Sequence, residues 1–297
     1  MQRLFTIIRR STGSLKQGSK RKRWSTIGLG MFAAGVLSLD IYYYLYKYQT
    51  IKALRQDEYQ EFPISDIDQI NHDTFKITVK TGILELLKGL PIAVPVHVSV
   101  KDDSCQIARS YTPIEIEKNH ITLLVKRYQN GSVSRMLTSA KVGDSVWLRG
   151  LIPTFNYTRN AIDHLIMVAG GTGITPMYQL ATSVLETEPN TLITLLYANK
   201  SKQDILLKKE LDQMEEKYDK FRVKYTLENY DSEWDQGKGR ISIKDLDFSK
   251  EKSAVIVCGP YGFIEAIAGS KISQDDGGPL GGYLKQLGFK DGQVLKL

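Results

Sequence analysis

The chain has 297 residues, 42% of them hydrophobic and 25% charged, which is enough for two ordinary cores and carries no low-complexity or disordered signature. Nine of its 40 basic residues and one of its 33 acids lie in residues 1–48, so that stretch holds +8 and the rest −1, and the folded part is no polyanion binder by charge. Two distant cysteines, Cys105 and Cys258, exclude a disulfide framework and a zinc-spaced cluster, and no metal site is expected.

Residues 1–25 contain Arg3, Arg9, Arg10, Lys16 and the Lys20–Arg23 run among Ser, Thr and apolar side chains, with no acid. This composition fits a mitochondrial targeting leader or, alternatively, a cytosolic basic anchor beside a membrane helix. Within 26–48 an apolar run from Ile27 to Leu45 lies between Trp24 and a tyrosine cluster at Tyr42, Tyr43, Tyr44, Tyr46 and Tyr48, the pattern of one transmembrane helix with interfacial aromatics. Asp40 is costly in hydrocarbon but sits near the tyrosine end. The basic flank predicts that the C-terminal bulk lies across the membrane from the leader, which in an inner mitochondrial membrane is the intermembrane space.

After a charged connector, residues 58–155 hold short β-rich runs such as Phe75–Val79, Val94–Val100, Ile121–Val125 and Ser145–Leu148, the profile of a small antiparallel barrel. Only Leu84–Leu87 has a helical pattern there. From 160 to 297 strands alternate with helices. Strands are expected at Leu165–Ala169, Leu192–Tyr197, Phe221–Thr226 and Ala254–Val257, and helices after Pro176 and through Leu206–Tyr218. Such alternation predicts a parallel sheet covered by helices, so the fold class is α/β plus all-β.

The chemistry centres on Leu165–Gln179, where a buried strand breaks at Gly170, Gly171 and Gly173 and a helix follows Pro176. A glycine turn facing a helix N-terminus favours anionic oxygens, and Thr172 and Thr175 add hydroxyls, so the stretch reads as a pyrophosphate cradle or, taken alone, an ordinary strand-to-helix turn. Its spacing is neither GxGxxG nor a Walker loop. In the barrel half, Arg109, Ser110, Tyr111, Thr112 and Pro113 place a cation, an aromatic and hydroxyls in sequence. If the chain is extended there, Arg109, Tyr111 and Pro113 share one face. Val125, Lys126 and Tyr128 lead into a polar turn at Gly131, Ser132, Val133 and Ser134, whose amides and hydroxyls could hold a second phosphate pair.

The order RxYT, VKxY, GxxS, GGTGITP and Cys258-Gly259-Pro260 resembles the NADH-cytochrome b5 reductase branch of the ferredoxin reductase-like flavoproteins, over residues 62–297. The resemblance implies an FAD-binding antiparallel barrel joined to an NAD(P)H-binding domain, with the flavin at the junction. By that likeness Arg109 pairs with the FAD pyrophosphate, Tyr111 packs on the flavin, and Thr112 hydrogen-bonds near the ring nitrogen that accepts hydride. Ser110, Pro113 and Val125 belong to the same cofactor-binding stretches, Lys126 and Tyr128 follow the flavin and its ribityl chain, and Gly131 to Ser134 line the pyrophosphate. Gly170, Gly171, Thr172, Gly173 and Thr175 hold the dinucleotide, and Cys258, Gly259 and Pro260 lie by the nicotinamide. The catalytic assignments are Thr112 and Cys258.

This chain departs from the pattern at Ala93-Val94-Pro95, where relatives carry glycine and histidine, and at Arg240, where an aromatic is common. Glu228 repels a 2′-phosphate and favours NADH, whereas Arg240 attracts one, so NADPH stays open as a second donor. The glycine-rich stretch Gly277–Gly282, with the leader and span, resembles a fungal mitochondrial inner-membrane branch that assists haem attachment to cytochrome c. The expected activity is electron transfer from NAD(P)H through FAD to a haem or a cytochrome, with no nucleic-acid partner. Alternatives are a general cytochrome b5 reductase, a haem-attachment accessory acting mainly as a binding module, and a nucleotide sensor.

Overall fold

The computed structural model describes residues 54–81, 95–102, 104, 106–117, 119–155, 161–188, 190–273 and 276–297. The expected leader and span, the Leu84–Leu87 pattern, the Ala93-Val94 departure and Cys105 lie outside them. Among the described residues no helix is long and apolar enough to cross a membrane. Residues 53–297 form one compact unit, built on two sheets.

The first sheet is antiparallel, with seven strands: β1 (Gln60–Gln69), β2 (Thr74–Lys80), β3 (Val96–Lys101), β4 (Ala108–Tyr111), β5 (Glu115–Glu117), β6 (His120–Lys126) and β7 (Ser145–Pro153). Their spatial order is β4-β3-β7-β1-β2-β6-β5, and β4 comes back into contact with β6, so the ladder curls on itself. Apolar side chains on its inner face, including Ile77, Val79, Val98, Val100, Leu123 and Val125, bury completely. Each such Val, Leu or Ile contributes roughly 1.5–3 kcal/mol of burial. A helix absent from the sequence expectation, α1 (Ser132–Ser139), places Val133 and Leu137 on this core. It is eight residues long and starts directly after the Gly131 turn, so the polar turn hides its periodicity.

The second sheet is parallel and six-stranded. It comprises β8 (His164–Gly170), β9 (Leu192–Asn199), β10 (Phe221–Leu227), β11 (Gly237–Lys238), β12 (Ser253–Cys258) and β13 (Val294–Lys296), in the order β11-β10-β9-β8-β12-β13. Both faces are covered, and strand alternation divides the core in two. Leu165 and Met167 point to the side of α2 (Ile174–Thr187) and α3 (Lys208–Lys217), where they meet Met177, Leu180, Val184 and Leu211. Ile166 and Val168 point to the opposite side, against Ile264 and Ile267 of α4 (Tyr261–Ala268) and Leu284 of α5 (Gly282–Gln286). The expected strands and both expected helices are present. The C-terminal strand β13 is too short to announce itself in sequence.

Candidate active site

At the carboxyl edge of the parallel sheet, β8 ends at Gly170 and the chain turns through Gly171–Gly173 into α2. Gly171 has φ +55°, a left-handed conformation that suits glycine, and open space lies where its Cβ would point. Gly173 packs against the Cys258 carbonyl so tightly that no side chain fits between them. A Cβ on Gly170 or Gly259 would meet the Phe263 ring at 3.2 and 2.7 Å. These contacts bring the glycine loop and the Cys258-Gly259-Pro260 turn, 85 residues apart, onto one edge. The Tyr197 hydroxyl donates to Gly171 O at 3.0 Å and fixes the loop from below. Thr175 is buried and donates its hydroxyl to Thr172 O at 3.2 Å, so its oxygen serves the turn itself. Ile174 N, the first amide of α2, donates to Gly171 O and Thr172 O, and Pro176 has no N–H, so the amides at the start of the helical run that remain for an anion are those of the Gly171–Gly173 turn.

Cys258 is partly exposed, and burial pushes its thiol up to about 12, only partly offset by Lys271. This shift favours the neutral thiol at physiological pH. Farther along the edge, Glu228 follows β10 and accepts a hydrogen bond from Arg240 Nε at 3.0 Å. Arg240 is 83% exposed, so the two charges with opposite donor preferences neutralise each other at the surface. Beside them a cavity of about 270 Å³ is lined by Ser201, Lys202, Leu227, Asn229, Tyr230 and Trp234.

On the antiparallel side, β4 carries exposed Arg109, whose Nη1 donates to Ala108 O at 2.8 Å. Ser110 is also exposed, Tyr111 and Thr112 are half-buried and Pro113 is buried. Burial pushes the Tyr111 phenol up to about 12, against the pull of Arg109, and Tyr128 is near enough to add to the rise. Tyr128 itself is 52% exposed. At the turn 131–134 both serine hydroxyls have protein partners. Ser132 Oγ donates to Asp102 Oδ2 at 2.6 Å, and Ser134 Oγ accepts from Tyr128 N at 3.2 Å and donates to Gly131 O at 3.2 Å. Val125 and Val133 point into the core, leaving only their backbone for a ligand. The amides of the α1 first turn, which have no intrahelical acceptor, remain for an anion.

Lys126 also meets partners invisible in sequence. Its ammonium lies 2.8 Å from Asp73 Oδ2 and 3.3 Å from Asp204 Oδ1, so it ties the antiparallel sheet to the loop after β9. His72, Asp73 and Asp204 cluster closely enough to suggest a cation, and Lys126 supplies it. A second tie is Gln179 on α2, which accepts from Val96 N at 2.7 Å and donates to Pro113 O at 3.0 Å. The ties made by Asp102, Asp204 and Gln179 leave no mark in the sequence, because each acts through a residue distant in the chain.

The arrangement fits FAD and a nicotinamide dinucleotide. Gly171 presents bare backbone to open space at one helix N-terminus, and the α1 amides, Arg109, Tyr111 and Tyr128 offer phosphate and ring contacts at another. Residues 61–157 match the oxidoreductase FAD-binding domain family and residues 167–269 the oxidoreductase NAD-binding domain family. The chain is 38% identical over 246 residues to NADH-cytochrome b5 reductase 2 of Aspergillus terreus, covering 80% of this chain and 77% of that protein. It is 39% identical over 246 residues to the Aspergillus niger protein of the same name, covering 80% and 76%. Among solved structures, the cytochrome b5 reductase domain of Ulva prolifera nitrate reductase superposes with a TM-score of 0.68 at 25% identity, over 82% of this chain and 99% of that one.

Proposed function

The chain belongs to the NADH-cytochrome b5 reductase family of FAD- and NAD-binding oxidoreductases, and on that membership we propose that it passes electrons from the nicotinamide donor singly to a haem or a haem protein. The observation that supports this most directly is the packing of Gly173 on Cys258, which gathers the nucleotide loop and the CGP turn at one edge, with the Thr112-Pro113 segment tied to the same helix. When bound, FAD supplies the redox chemistry, taking two electrons from the dinucleotide and yielding them one at a time. The chain's own part is to hold both ligands and align them. Arg109 and the α1 amides suit the FAD pyrophosphate, Tyr111 and Thr112 the flavin edge, and the amides of the Gly171–Gly173 turn the dinucleotide. Cys258 contributes a neutral apolar surface.

The acceptor is proposed to be a b5-type cytochrome, following the names of the relatives, or haem itself. The basic leader and apolar segment within residues 1–48 support a mitochondrial inner-membrane anchor with the catalytic unit in the intermembrane space, where a role in attaching haem to cytochrome c fits. The test begins with the visible spectrum of the purified full chain and its anaerobic titration with NADH. A flavin spectrum bleached by NADH is expected, and colourless protein would sink the reading. Adding cytochrome b5 or haem to the reduced protein then separates the acceptors. Protease protection of intact mitochondria tests the location, and holo-cytochrome c levels after deletion test the assembly role. Fast turnover with cytochrome b5 and a cytosolic domain would instead mark a general reductase.

A further inference from the structure

The side chain of Gln179 occupies an unusual place in the antiparallel ladder. β3 and β4 pair with Val98 opposite Tyr111, so the ladder's next step would set Val96 opposite Pro113. Pro113 has no N–H to give, and the strand ends at Tyr111. The Gln179 amide fills the gap, with Oε1 accepting from Val96 N at 2.7 Å and Nε2 donating to Pro113 O at 3.0 Å. A side chain from the parallel-sheet half thus stands in for a backbone rung of the antiparallel half. Only a group with one acceptor and one donor at this reach completes both bonds, and ionised Glu has no donor.

The position matters because of what lies at each end. Pro113 follows Thr112, the residue at the expected flavin edge, and Gln179 lies six residues after Gly173, about 9 Å along α2 from the nucleotide loop. We propose that Gln179 is a positioning residue for electron transfer, setting the spacing between the Thr112-Pro113 segment and the nucleotide loop through its two amide hydrogen bonds. This rests on the flavin reductase reading above. Misplacement of reacting groups by about 1 Å costs roughly 100-fold in rate, so the effect falls on turnover more than on binding.

The test uses the full chain with FAD content measured and turnover expressed per bound flavin. Gln179→Ala is expected to lower kcat for NADH about tenfold or more, with KM changed less than about threefold and a larger kinetic isotope effect from NADH deuterated at nicotinamide C4. NAD⁺ affinity, followed by protein fluorescence, stays within about threefold. Gln179→Glu keeps the Val96 bond and sets a carboxylate against Pro113 O. Its kcat is expected to be low at pH 8 and to recover as the pH falls and the carboxyl regains a proton to donate, a pH profile that the unmodified protein lacks. Unchanged kcat per flavin and isotope effect in Gln179→Ala, or a flat profile in Gln179→Glu, overturns the proposal while leaving the reductase reading intact. Wild-type protein that neither holds FAD nor is reduced by NADH overturns both.

Discussion

Lys126 Nζ stands 3.3 Å from Asp204 Oδ1, an ammonium at the end of an antiparallel strand against a carboxylate in the parallel-sheet half. Burial opposes charge on both groups. It is outweighed on Lys126 by Asp73 and Asp204, which hold the ammonium above its ordinary range, and on Asp204 by Ser201 and Lys126, which hold the carboxyl below. The lowered carboxyl stabilises above about pH 4, and that contribution is lost as the pH falls through its folded pKa. The raised ammonium stabilises below about pH 10.4 and loses its effect as the pH rises through its own. Lys126→Met should therefore lower stability by about 1–3 kcal/mol, since it leaves half-buried carboxylates facing each other. In thermal unfolding the deficit should be constant from about pH 5 to 9 and shrink in acid. A deficit that varies across neutral pH would point to another group.

Asp102 uses both carboxylate oxygens, Oδ2 for Ser132 and Oδ1 for Ser104 and the amides of Gln106 and Ile107. It links the β3–β4 hairpin, which carries Arg109, to the start of α1. The Ser132 hydroxyl, ahead of the other donors and against desolvation, holds its carboxyl below the usual range. Asp102→Ala should weaken FAD retention during gel filtration and lower Tm, with the greater effect on FAD. Asp102→Asn, which keeps an acceptor for Ser132, should lose less. Equal FAD retention in Asp102→Ala and wild type would show that the hairpin and α1 hold their spacing without it.

Gly171 and Gly173 separate two reasons for glycine in one loop. Alanine at 173 meets the Cys258 carbonyl, so the loop and the CGP turn must move apart, an overpacking cost of about 1–3 kcal/mol. Alanine at 171 meets no atom but must hold φ +55°, costing roughly 1–2 kcal/mol, and its methyl projects into the open space where a dinucleotide would approach. Gly173→Ala should thus lower Tm more, and Gly171→Ala should raise KM for NADH more. Reversed rankings would mean that the open side of Gly171 is not the nucleotide side.

What sequence made legible follows from local physics. Leu165–Ala169 reads as a strand because continuous apolar residues serve both covered faces, and the structure sends alternate residues to opposite cores. The glycine loop is legible because Gly171 needs its φ and Gly173 its close contact. The tie of Lys126 to Asp204, 78 positions away, leaves no local mark in the sequence. The contacts of Ser132 with Asp102 and of Ser134 with the Tyr128 amide are not legible in sequence, because a hydroxyl's partner depends on the folded neighbours.

Cys258 tests whether the CGP turn works by packing or by thiol chemistry. With its thiol pushed up to about 12, the thiolate fraction at pH 8 is about one in ten thousand. In a Cys105→Ser background, iodoacetamide should label native Cys258 far more slowly than the urea-unfolded chain, and labelling should accelerate with pH well beyond 9. Cys258→Ala should keep FAD and measurable turnover. Rapid labelling at pH 7 would reveal a thiolate and reopen a chemical role.

Lys296 gives the glycine-rich stretch a mechanical explanation. Its ammonium is buried and donates to Pro279 O at 2.9 Å, Ser270 O at 3.0 Å and Gly269 O at 3.4 Å, pinning both ends of the 269–281 segment to strand β13. Gly269 and Gly281 lie too close for any side chain between them, and Leu280 N donates to Asp291 Oδ1 at 2.7 Å. Desolvation lowers the Lys296 pKa below its ordinary value, so the folded state sheds its proton first and stability from this group rises as the pH climbs toward about 10.4. Lys296→Met removes that burial of charge but strands three carbonyls, whose partners the segment cannot replace. The expected outcome is local: amide exchange across 270–281 should speed at least tenfold, while strands β8 and β12 keep their protection and Tm falls by only a few degrees. If exchange there is unchanged, the glycine contacts and Asp291 alone hold the segment, and the lysine is a tolerated cost.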